Sequence, residues 1–204
     1  MLRKFSRFQN YALRAVQRFA LFVVVVLILG ISSNYTFGQS VEQQRKLARL
    51  EATYLTHLTK YVKWNNQDAG TKLKIIIHGD DRFNFSETLS FAIKISNPKE
   101  TVEILSFTNA QSQQALNEAN KGFNFFVTLN NSVITGKQLT EFSEKGIFVV
   151  HGQGLFKSSP AQVAFEYNQN RVRLLIAKQA IGDKKNQISS KLAELKSAVK
   201  VVDK

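Results

Sequence analysis

Leu47, Leu50, Tyr54, Leu58, Tyr61 and Val62 recur at three- and four-residue steps. That is the period of one helix face. It predicts a helix from Ser40 to Val62 with Tyr54, Leu58 and Tyr61 turned inward. Glu51, Thr56, Thr59, Lys60 and Lys63 fall mostly on its other sides. Asn65–Asp68 and Gly70 break it. Lys72–His78, Thr101–Phe107, Phe123–Leu129 and Gly146–His151 are short strand-like runs rich in β-branched and aromatic residues. Between them, Arg82–Ile93, Ala110–Asn120 and Thr135–Ser143 carry helical spacing, and Asn97-Pro98 marks a turn. Strands apolar on both faces, alternating with helices, predict βαβ units and a parallel sheet.

After His151 the rhythm changes. Ala161–Tyr167 alternates, Asn168–Asn170 turns and Arg171–Ala177 returns, which predicts a β-hairpin. Glu166 then has Arg171 or Arg173 opposite it, as a cross-strand charge pair. Leu192, Leu195, Ala198–Val199 and Val202 predict a closing helix from Ile188 to Val202. The expected fold is a single α/β domain. Its sheet is mostly parallel with helices on both faces, followed by a C-terminal β-hairpin and a closing helix.

The N-terminus reads differently. Phe19–Ile31 is an unbroken apolar run of 13 residues, preceded by Arg3, Lys4, Arg7, Arg14 and Arg18 and followed by polar Ser32-Ser-Asn34. A basic segment, an apolar run and small residues Thr36 and Gly38 at positions −3 and −1 form a secretory signal. Cleavage is expected after Gly38. The run is short for a spanning helix, which needs about 20 residues. Retained as an anchor, it would leave the domain outside all the same. The expected division is 1–38 as signal peptide or N-terminal membrane anchor and 39–204 as the folded domain. The expected location is the bacterial periplasm.

Composition narrows the chemistry. Hydrophobic residues make up 44% and charged residues 21% of the 204, which is a globular balance. The absence of cysteine removes disulfides, thiolate metal sites and thiol nucleophiles. The net charge of +13 falls to +8 once the five basic residues of the first 38 are taken away. Seven lysines stand against three acids between Lys178 and Lys204, a pattern that fits a solvated face better than a polyanion or membrane-surface site. No nucleic-acid partner is expected.

His78 and His151 each end an apolar strand and directly precede a glycine. On parallel strands both would lie at the carboxyl edge of the sheet, where open α/β sheets bind ligands. With Asp80 and Asp81 they outline a ligand or metal crevice, against the plainer alternative of local hydrogen bonding at strand ends. There is no Gly-x-Ser-x-Gly elbow, and Gly152-x-Gly154 lacks the third glycine of a dinucleotide loop. No cofactor and no catalytic group is expected. Phe91, Phe107, Phe125, Phe126 and Phe148 are placed in the core. Phe156 in the Gly152–Pro160 loop, together with Lys63 and Thr59, is a candidate partner contact.

Three segments carry a resemblance. Ala52–Trp64 resembles the aromatic helix and closing tryptophan of the YfiR-like family of exported bacterial proteins. Lys74–Phe83 resembles that family's first strand and turn. Val172–Ile176 with Ile188–Leu192 resembles its last strand and the start of its C-terminal helix. Asn65 stands where the family usually has proline, and Leu174–Ala177 replaces its usual Phe-Glu-Ile-Asn. The resemblance implies a regulator that binds a membrane signalling protein, a diguanylate cyclase or sensor kinase, from the periplasmic side. It implies control of cyclic di-GMP signalling and a capacity to dimerise. Thiol-based control is outside the reach of a cysteine-free chain. A small-molecule or metal-binding protein using His78 and His151 is the alternative.

Overall fold

Successive residues of a strand point to opposite faces. The complete burial of Ile75, Ile76 and Ile77 therefore requires cover on both sides of the sheet. The computed structural model, which describes residues 40–64, 72–98, 100–152, 160–168, 171–181 and 186–204, supplies that cover. Helix α1 (Val41–Tyr61) runs directly into β1 (Val62–Trp64). Then come β2 (Leu73–His78), α2 (Phe85–Ser96), β3 (Val102–Phe107), α3 (Ser112–Ala119), β4 (Phe125–Thr128), α4 (Gly136–Glu144) and β5 (Phe148–His151). The chain finishes with β6 (Val163–Asn168), β7 (Arg171–Ala177), β8 (Asn186–Ile188), α5 (Ser190–Ala193) and β9 (Val199–Val202).

The main sheet has the order β3-β2-β4-β5-β6-β7-β9. Pairing is parallel from β3 through β6, antiparallel in the β6–β7 hairpin, and parallel again between β7 and β9. The chain steps from β2 outward to β3, then crosses back to β4. Right-handed crossovers therefore send α2 to one face and α3 and α4 to the other. The α3–α4 face holds Ile76, His78, Phe126 and Thr128, and the Phe126 ring packs tilted against Phe142 of α4 with centroids 4.8 Å apart. The opposite face holds Ile75, Ile77, Phe125 and Phe148, with Phe125 and Phe148 rings 5.2 Å apart. Each such side chain contributes about 1.5–3 kcal/mol on burial.

The α/β architecture agrees with the sequence reading; four details differ. The predicted closing helix is only Ser190–Ala193, and Val199–Val202 is an edge strand on β7. The apolar steps at Leu192, Leu195, Val199 and Val202 mimic a helix. The β-branched Val-Lys-Val-Val run instead completes the free hydrogen-bonding edge of β7. Second, β1 and β8 form a separate two-stranded antiparallel pair. Third, Thr56 and Thr59 are buried while Tyr54 and Tyr61 are only half-buried. Helix α1 packs along α2 as well as on the sheet. Small side chains at Ala52, Thr56 and Thr59 suit that close approach. Thr56 donates to Ala52 O and Thr59 to Thr56 O, both at 2.8 Å, so neither buried hydroxyl is orphaned. Fourth, Phe91 is 67% exposed rather than in the core.

Candidate functional site at the carboxyl edge of the sheet

His78, Thr128 and His151 end β2, β4 and β5 at one level and on one face, in direct register. Sheet spacing sets the two histidine backbones about 10 Å apart across β4. The structure brings both histidines to the same edge, and their surroundings differ.

His78 is fully buried. Its Nε2 lies 2.9 Å from Ser112 Oγ, at the start of α3, and its Nδ1 lies 2.7 Å from Ser132 Oγ. Ser112 donates its own proton to Asn109 O at 2.6 Å, so it accepts from Nε2–H. Ser132 accepts from Ile134 N–H at 3.4 Å and is free to donate to Nδ1. The network fixes a neutral ring with the proton on Nε2. Burial holds its pKa below the ordinary imidazole value, against a weaker opposite pull from Asp80.

His151 is half-buried. Its Nδ1 lies 2.6 Å from Thr128 Oγ1. Burial lowers its pKa first, and the ammonium of Lys204 lowers it further. Lys204 reaches back to donate to Ala161 O, and burial pushes its own pKa down to about 8.

The glycines after the two histidines have a steric reason. A Cβ on Gly79, whose φ is +129°, would stand 2.6 Å from Asn131 Oδ1 and 2.8 Å from Leu129 Cβ. A Cβ on Gly152 would stand 2.5 Å from Asn130 Oδ1 and 2.9 Å from Asn130 N. The loop after β4 thus lies against both strand ends. Asn131 accepts from Asp80 N–H at 3.0 Å and donates to Asp80 O at 3.2 Å. Asn109 donates to Asn131 O at 2.8 Å and accepts from Val133 N–H at 3.1 Å. Two asparagines thereby tie together the loops after β2, β3 and β4.

The remaining sequence candidates scatter. Asp81 is an N-terminal cap for α2, accepting from Phe85 N–H at 2.6 Å, Ser86 N–H at 2.9 Å and Ser86 Oγ at 2.7 Å. Asp80 is half-buried and joins the edge through its backbone. Among the described residues no three His, Asp, Glu or Cys side chains converge as metal ligands. Thr59 is 5% exposed, so the surface contact expected of it is corrected: α2 covers that side of α1. The side chain of Lys63 and the whole of Phe156 lie outside the described residues. Arg173 does stand opposite Glu166, but the ion pair of Glu166 is with Lys200 of β9 at 2.9 Å.

Sequence reasoning missed Asn109, Ser112, Asn131 and Ser132. The signal was present as Asn and Ser clustered just after two strand ends, where such side chains bond the backbone. It also missed Glu51, which lies among the buried residues of α1 and whose pKa burial pushes up to about 8.

A family model described as YfiR/HmsC-like matches residues 48–196. The chain belongs to this family. No curated protein matches it. In this YfiR/HmsC-like chain the match takes in α1 from Ala48 onward, β2 to β5, the hairpin, α5 and both histidines of the carboxyl edge. It stops short of β9 and Lys204. Among the described residues no helix is long and apolar enough to cross a membrane. The apolar run Phe19–Ile31 and the expected cleavage point lie outside them.

Proposed function

We propose that this chain is an exported, non-enzymatic regulator that binds a membrane signalling protein from the periplasmic side and changes its output. The observation that carries the reading is the family match over residues 48–196. The carboxyl edge supports it. There His78 spends both ring nitrogens on holding α3 and the loop after β4, so its imidazole serves structure rather than proton transfer. The receptor class we favour is a diguanylate cyclase or a sensor kinase. A regulator of this kind works by differential affinity, binding one receptor conformation more tightly than the other. Moving a receptor from 1:99 to 99:1 needs a preference of about 10⁴-fold.

The test is crosslinking in intact cells followed by recovery from solubilised membranes. We expect one inner-membrane receptor with an exported portion, and a change in its output when this chain is deleted. Recovery of no such receptor, with unchanged output, overturns the reading. The alternative, a small-molecule or metal site around His78 and His151, has one favourable observation: His151 is half-exposed at a carboxyl edge. A ligand-dependent thermal shift abolished by His151→Ala would support it. A shift indifferent to that substitution would remove it.

A further inference from the structure

The two helical layers present different surfaces. Helices α3 and α4 and the residues that end them expose Lys121, Lys137 and Lys145 against Glu141 and Glu144. Lys121 is engaged by Glu118 and Lys145 donates to Asn120, both at 2.6 Å. Neither helix exposes a large apolar side chain. Helices α1 and α2 expose Arg45, Lys46, Arg49, Lys60 and Lys94 against Glu42 and Glu87. Glu42 is already engaged by Arg45 at 3.1 Å. On α2, Phe91 is 67% and Ile95 64% exposed. Four residues apart, they lie side by side on one helix face, with exposed Lys94 between them in sequence. Lys60 donates to Ser96 O at 3.3 Å, which holds its ammonium beside Ile95. Arg49 and Lys60 are three helical turns apart and share a stripe of α1.

We propose that the outer face of the α1–α2 layer docks on an anionic membrane surface. Phe91 and Ile95 enter the boundary between headgroups and acyl chains, while Arg49, Lys60 and Lys94 meet lipid phosphates. Charge complementarity selects this occupant. Two apolar side chains are few for the centre of a protein interface. A membrane-surface contact needs little beyond an inserted aromatic–aliphatic pair and neighbouring cations. Docking there turns the α3–α4 side away from the bilayer.

The chain contains no cysteine, so one introduced thiol can be labelled alone in the full-length protein. Ile95→Cys carries an environment-sensitive dye, and Thr140→Cys, exposed on α4, carries the same dye as reference. On vesicles of phosphatidylcholine with about one-third phosphatidylglycerol, the dye at 95 should brighten about twofold and shift to the blue. It should not do so on phosphatidylcholine alone, and the dye at 140 should stay unchanged on both. Lys60→Glu with Lys94→Glu should weaken the response at 95 by at least about tenfold in lipid concentration. A local readout matters because the apolar run near the N-terminus can hold the chain to vesicles by itself. A dye at 95 that stays in water, or one that responds equally at 140 or on neutral lipid, overturns the proposal. A face built for a protein partner would also leave the dye at 95 in water on bare vesicles.

Discussion

His78 and His151 end the parallel strands on either side of β4 in nearly the same words, Ile-Ile-Ile-His-Gly and Phe-Val-Val-His-Gly. Each is followed by a glycine whose Cβ would strike an asparagine of one loop. Yet His78 is fully buried between two serines, whereas His151 is half-exposed with one threonine and a nearby lysine. The difference comes from the flanks. β2 lies between β3 and β4, and the chain leaving β3 brings Asn109 and Ser112 down onto His78. β5 lies between β4 and β6, and β6 pairs with His151 at Ala164 and runs on to Asn168, so the chain leaving β6 turns beyond the level of His151. Position along a strand sets the level of a side chain. The loops arriving from neighbouring strands set its burial and partners.

The largest expected contrast follows from that. His78→Ala opens a buried void and leaves the Ser132 hydroxyl without the acceptor it donates to, a loss of about 3 kcal/mol. His151→Ala should cost under about 1 kcal/mol, because Thr128 keeps an acceptor in Val150 O and water can enter. Urea unfolding monitored by circular dichroism measures both. Equal losses would break the comparison.

Much of this was legible in the sequence. The continuous apolar runs gave the parallel sheet, and the strand-end histidines gave their shared edge. The partners were not legible, because Ser112 and Ser132 lie 34 and 54 residues from His78 and meet it only through topology. Thr56 and Thr59 misled because polar residues on a helix read as solvent-facing. Nothing local announces that α2 will lie against them. Phe91 misled in the reverse sense: an aromatic on an amphipathic helix reads as core. The strand β9 was hidden by valine spacing that serves a helix or a strand edge equally.

Glu51 must be taken out before the histidines can be compared by pH, because it acts with the opposite sign. Its folded-state pKa is raised from about 4.5 to about 8. Its stability contribution is therefore full below 4.5 and lost as pH rises towards 8. Glu51→Gln should stabilise the protein by about 2 kcal/mol at pH 7 and leave it unchanged at pH 4. Both histidines have lowered pKa values. Their contribution is present above the ordinary imidazole value and is lost as pH falls from there through the folded-state values. Unfolding midpoints across pH 4–9 should therefore fall on the acid side in Glu51→Gln protein. A flat profile there would remove the histidine part.

Asn131→Ala separates the two ends through their shared loop. It deletes the bonds to Asp80 and leaves Asn130 against Gly152, so a loss of about 1–2 kcal/mol is expected. Hydrogen exchange should speed up at Gly79–Asp81 and stay unchanged at His151 and Gly152. Faster exchange at both ends would mean that the loop acts as one body, and the contrast between the histidines would narrow to their burial.

The finest distinction is electrostatic. Desolvation lowers both imidazoles, and only His151 has the added influence of Lys204. Removing that ammonium while keeping an apolar stem, as in Lys204→Met, should let the His151 pKa rise and leave that of His78 where it is. Stability should change by less than about 0.5 kcal/mol, since Lys204 is partly screened by solvent. Histidine-selective NMR titration reads both rings in one sample. If both move, the two strand ends are coupled through Thr128, which lies between them in register. If neither moves, burial alone depresses His151, and the two histidines differ in their partners rather than in their field.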